Sequence, residues 1–92
     1  MSQLSLVFLL SLDPYESCFL KGKNLDGHIS SVHQDNVKSA IDCQKICKEK
    51  KQCQSFVYSI GGKQCWFKER KVEDSQITEY NDGIVGPKYC SK

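Results

Sequence analysis

The sequence predicts a small α+β module, held by disulfides, in which an antiparallel sheet packs against one helix. Three observations carry that reading. Six cysteines, Cys18, Cys43, Cys47, Cys53, Cys65 and Cys90, occupy 92 residues, an even count that in a short chain signals a disulfide framework and an oxidising compartment. One stretch, from Ser39, has helical spacing of its apolar residues. One pair of aromatic, β-branched runs flanks Gly61-Gly62. Such a chain is a single domain, small enough that its core is marginal without staples.

The N-terminal run Leu4 to Leu12 is apolar and has the length of a signal-peptide core, too short to span a bilayer. No Lys or Arg precedes it and no small-x-small cleavage site follows it, so residues 1–13 read equally as a signal remnant or as a linker from a longer protein. The domain is assigned to residues 14–92. Cys18-Phe19-Leu20-Lys21 is the first strand candidate, with a turn at Asp26-Gly27. His28 to Val37 holds a second extended segment with little periodicity.

Ser39 opens the clearest element. Ser39-x-x-Asp42 has the form of a capping box with Asp in place of Glu. Ala40, Cys43, Ile46 and Cys47 then share one face, while Lys45, Lys48, Glu49 and Lys51 lie toward the other. The helix is placed at about residues 39–50, with lysines suiting its C-terminal dipole. Cys53 to Ile60 and Gln64 to Lys68, joined through Gly61-Gly62, form a hairpin. Residues 69–81 are polar and read as a loop. Gly83 to Cys90 is the closing strand, with Pro87 marking an edge or a bulge.

Geometry constrains the cysteine pairing. Cys43 and Cys47 are one helical turn apart, about 5–6 Å between Cβ atoms, whereas a disulfide needs about 3.5–4.5 Å. Cys47 lies at the helix end close to Cys53, so a local bond is easy. Cys43 is then left to reach Cys65 on the hairpin, and Cys18 to join Cys90.

Composition argues against several functions. The net charge of +2 is too weak to imply nucleic acid or an anionic membrane, and mixed runs such as Lys48-Glu49-Lys50-Lys51 read as solvated faces. Asn24, Asn36 and Asn81 all fail the N-glycosylation pattern. His28 and His33 precede most of the cysteines and no C-x-x-C pair exists, so no zinc site, metal or cofactor is expected. No Cys–His nucleophile, nucleophile elbow or paired-carboxylate signature is present, and Asp13, Glu69 and Asp82 read as surface charges.

Cys18, Gly22, Leu25, Ser39-Ala40-x-Asp42-Cys43-x-x-x-Cys47, Cys53-x-x-Phe56-x-Tyr58, Cys65-Trp66-x-Lys68 and Gly86-Pro87-Lys88-x-Cys90 together resemble a PAN/apple domain. The resemblance implies a curved sheet of about five strands on one helix, and bonds Cys18–Cys90, Cys43–Cys65 and Cys47–Cys53. The Gly-Pro-Lys-x-Cys ending is most similar to apple domains of apicomplexan microneme proteins. These are tandem, secreted adhesion modules that contact a protein partner in a parasite complex or a host surface, and some bind galactose-type glycans. The resemblance therefore implies a non-enzymatic, extracellular binding module, with a protein ligand first, a glycan second and a spacer role third. In the return strand, alternation puts Cys65 and Phe67 toward the helix and Trp66 and Lys68 away from it. Trp66 and Lys68 are thus candidate ligand contacts, although Trp66 equally suits packing under residues 69–82. Lys63 at the hairpin tip is an exposed candidate, and Tyr58 fits the core better than a site.

Overall fold

The computed structural model describes residues 18–26 and 32–90. The helix, α1 (Ala40–Glu49), begins where Ser39 takes an extended conformation and its hydroxyl accepts a hydrogen bond from the backbone N–H of Asp42 at 3.1 Å. It ends at Lys50, whose N–H returns to the Cys47 carbonyl. The buried face consists of Ala40, Cys43, Gln44 and Cys47. Gln44 takes the central place expected of Ile46, which is only partly buried, because its amide is satisfied by the carbonyl of Pro87 at 3.1 Å.

Five strands form one antiparallel sheet: β1 (Leu20–Asp26), β2 (His33–Gln34), β3 (Ser55–Ser59), β4 (Gln64–Lys68) and β5 (Gln76–Pro87), in the order β1-β5-β3-β4-β2. The β3–β4 hairpin pairs Phe56 with Phe67 and Tyr58 with Cys65, and its turn is closed by Lys63 with φ 53°. Within the expected extended segment 28–37, strand structure is confined to the two residues of β2, and residues 27–31 lie outside the described part. The expected Asp26-Gly27 turn therefore falls partly outside it, as do the N-terminal run and Asp13.

Two strands differ from expectation for one reason. The first strand begins at Leu20 and continues to Asp26, and residues 76–81, expected to be loop, are the first half of β5. Polar residues of each strand pair with the other, Lys23 with Glu79 and Asn24 with Thr78, beside the apolar pair Leu25–Ile77. The Lys23 ammonium meets the Glu79 carboxylate at 2.5 Å. A polar two-stranded ribbon has little buried face, so it lacks the alternating pattern that identifies a strand. A 3₁₀ turn (Val72–Asp74) leads into β5. The register shift lies between Lys21 and Lys23, around Gly22 at φ 76°, while Pro87 ends β5 paired with Ser55 of β3 and beyond the β1 ladder, which stops at Leu20–Val85.

The sheet has two unequal faces. Toward α1 lies the main core of Phe19, Phe56, Tyr58, Phe67, Ile84 and the helix residues, sealed by the Cys43–Cys65 and Cys47–Cys53 bonds. Phe19 meets Phe56 edge-on at 5.2 Å, and a Cβ at Gly86 would lie 2.4 Å from the Phe56 ring, so only glycine fits there. On the opposite face Leu25, Val57 and Val85 form a smaller cluster, flanked by Trp66 and Val72. The Cys18–Cys90 bond closes the domain at its ends.

Candidate functional site

The sheet alternation places Trp66 on the face away from α1, where it borders the small cluster. Its indole is not an open platform: the His33 imidazole stacks on it at 4.2 Å with an interplanar angle of 24°. His33 Nε2 also lies 3.4 Å from the Asp35 carboxylate, which accepts a further hydrogen bond from the Gln64 amide at 3.0 Å. The short strand β2 is thereby pinned across β4, opposite Trp66 and Cys65.

Tyr58 is buried in the main core, where its hydroxyl donates to the Val37 carbonyl at 2.6 Å. Burial, with the Asp42 and Asp82 carboxylates adding to it, holds the phenol above its ordinary pKa, so it stays a neutral donor. One edge of the ring still reaches a shallow hollow of about 290 Å³, shared with Lys63, Ile60, Ile84 and Lys38. The structure thus brings Tyr58 and Lys63 together at the helix start, and sets Trp66 apart from them.

Asp82, expected to be a plain surface charge, has a structural task. Its carboxylate accepts hydrogen bonds from the Ser59 hydroxyl at 2.6 Å and from the Gly61 N–H at 2.9 Å. These bonds, with one from the Tyr80 side chain, hold its pKa below the usual carboxylate range. This side chain, with the Ile60 N–H donating to the Asp82 carbonyl at 2.9 Å, ties the hairpin tip to β5.

Lys68 lies at another hollow, of about 390 Å³, with Lys50, Lys51, Val32, Phe67 and Glu69. The Lys50 ammonium sits 5.0 Å from the centre of the Phe67 ring, a cation–π contact. Lys50 and Lys51 belong to the mixed run that predicts a solvated face. They line this hollow with Lys68, next to the turn that the Cys47–Cys53 bond closes. A third hollow, of about 450 Å³, runs past Leu20, Val72, Val85, Pro87, Lys88 and Tyr89. Among the described residues no group of His, Cys, Asp and Glu is placed to hold a metal ion, and no helix is long and apolar enough to cross a membrane.

A family model described as the PAN domain matches residues 18–90. Among solved structures, the two N-terminal apple domains of Toxoplasma gondii microneme protein 4 align at 22% identity with a TM-score of 0.65, covering 82% of this chain and 47% of that one. A PAN module from Eimeria tenella aligns at 17% identity with a TM-score of 0.59, covering 92% of this chain and 95% of that one. The chain therefore spans about half the length of the microneme protein 4 fragment. At these identities the likeness is one of fold. No curated protein matches the chain.

Proposed function

The chain belongs to the PAN domain family, and from that premise we propose that it is a secreted, non-enzymatic adhesion module that binds another protein. The supporting observation is how the apolar surface is divided. The core is closed by three disulfides, yet Val32, Ile60 and Tyr89 remain 56%, 49% and 64% exposed, each beside a shallow hollow. Rigid scaffolds with exposed apolar groups at open grooves suit partner binding. By analogy with the apicomplexan structures, the partner is a component of a microneme-type complex or of a host cell surface. On the same analogy the module is one of several in tandem and reaches the exterior through a secretory organelle.

The test is capture of partners from parasite secretions and from host-cell surface extracts by the oxidised domain, scored against its reduced and alkylated form. A specific partner lost on reduction supports the reading, and equal capture by both forms sinks it.

A glycan ligand is the second reading, and the Tyr58–Lys63 hollow favours it, since an aromatic edge beside a flexible donor suits a sugar hydroxyl array. Trp66 is the weaker sugar contact because His33 covers one face of its ring. Glycan-array binding abolished by Lys63→Ala would move the assignment to a lectin-like module. A domain that binds neither proteins nor glycans would be a spacer between other modules.

A further inference from the structure

We infer that the groove between the end of α1 and β4 is the partner-binding site, and that it takes an acidic peptide segment carrying one apolar side chain. This rests on the protein-binding reading above and names the surface and the chemistry. The groove has an apolar floor and a cationic rim. Val32, 56% exposed, supplies the apolar surface, and the buried Phe67 and Cys53 lie beneath it. Lys50, Lys51 and Lys68 line it against one acid, Glu69. Neither Lys50 nor Lys51 forms an ion pair with a described residue; the described pairs are Lys23–Glu79 and His33–Asp35.

One of the cations, Lys50, is held in place, which lowers the ordering cost of binding. Phe67 fixes the Lys50 ammonium from below. The Lys50 carbonyl accepts hydrogen bonds from the Cys53 N–H at 3.1 Å and from the Lys88 ammonium at 2.9 Å. The turn is therefore rigid, and it draws another positive charge to its edge. The Cys47–Cys53 bond locks the same turn covalently.

Phe67 is buried beneath Lys50, so Val32 is the apolar surface open to a ligand. An apolar side chain on Val32 with carboxylates reaching Lys50 and Lys51 satisfies both parts of the groove. Charges of this kind steer encounter and set specificity more than they add raw affinity.

The experiment is selection from a random-peptide display library on the oxidised chain, followed by binding of the enriched peptides to the parent, to Lys50→Glu/Lys51→Glu and to Lys51→Glu alone. A heparin fragment serves as competitor, and the native disulfide map is required of each variant. Enriched peptides should pair acidic residues with an apolar one, bind more weakly in high salt, and lose about tenfold in affinity to the double variant. The exposed single change should give a smaller loss, and it stands in if the double variant does not fold. No enrichment, enrichment of neutral or basic peptides, or unchanged binding to both variants overturns the inference. So does a heparin fragment that binds while no acidic peptide does. A natural partner that binds the double variant as well as the parent would remove this groove and leave the protein-binding reading standing. Failure to capture any partner removes the reading itself.

Discussion

The two faces of the sheet are built on different principles. The face under α1 buries Phe56, Tyr58, Phe67 and four half-cystines. Its contacts are covalent as well as apolar. The apolar cluster described on the opposite face is Leu25, Val57 and Val85, sheltered by the Trp66–His33 stack and by Val72 of the 3₁₀ turn. A domain this small cannot fill two cores. One face is therefore stapled, and the other depends on fit between a few side chains from distant strands.

The largest test of this contrast is removal of the bond that joins helix to sheet. Replacing Cys43 and Cys65 with alanine releases a link across a sequence separation of 22. The expected loss is about 3 kcal/mol, comparable to much of the stability of a small domain, and is measured as a shift of the denaturant midpoint. On the other face Leu25→Ala, at 1% exposure, should cost about 2–3 kcal/mol. If Leu25→Ala costs less than about 1 kcal/mol, the second face is not a core, and the contrast is sharper than drawn.

Within the stapled face, Tyr58→Phe leaves the ring in place and removes its hydrogen bond to Val37. The expected cost is about 1 kcal/mol. A change too small to measure would mean that the staples and the ring alone hold the segment before α1. The smallest effect is the acid dependence of the hairpin tip. The folded pKa of Asp82 is lowered, first by the Ser59 hydroxyl and then by the Gly61 N–H. Its contribution is therefore complete above the unfolded value of about 3.9 and is lost as pH falls through the lower folded value. Asp82→Asn should flatten that part of the stability–pH profile. An unchanged profile would mean that other carboxylates dominate it.

The helix and the hairpin were legible in the sequence because each has a local signal. Ser39 and Asp42 mark the helix start, and Gly61-Gly62 between aromatic runs marks the hairpin. The first half of β5 was not legible, because its partners are the polar residues of β1, a strand far away in sequence. For the same reason Gln44 was missed as a buried residue: its carbonyl partner, Pro87, belongs to another strand. The candidate site was legible only in parts. The alternation of β4 indicated that Trp66 lies on the face away from α1. That His33 covers Trp66, that Asp82 binds the hairpin tip, and that Lys50 stands over Phe67 all depend on tertiary approach, which no local pattern encodes.

The Cys18–Cys90 bond has a mechanical consequence. Its Cα atoms are 5.9 Å apart, so the chain enters and leaves the domain at one point. Tension applied to the flanking chain passes through that covalent link and bypasses the sheet. The hydrogen bonds of β1 and β5, which would otherwise bear the load, stay unstressed under pull. A tether built of such units would lengthen only in the segments between them.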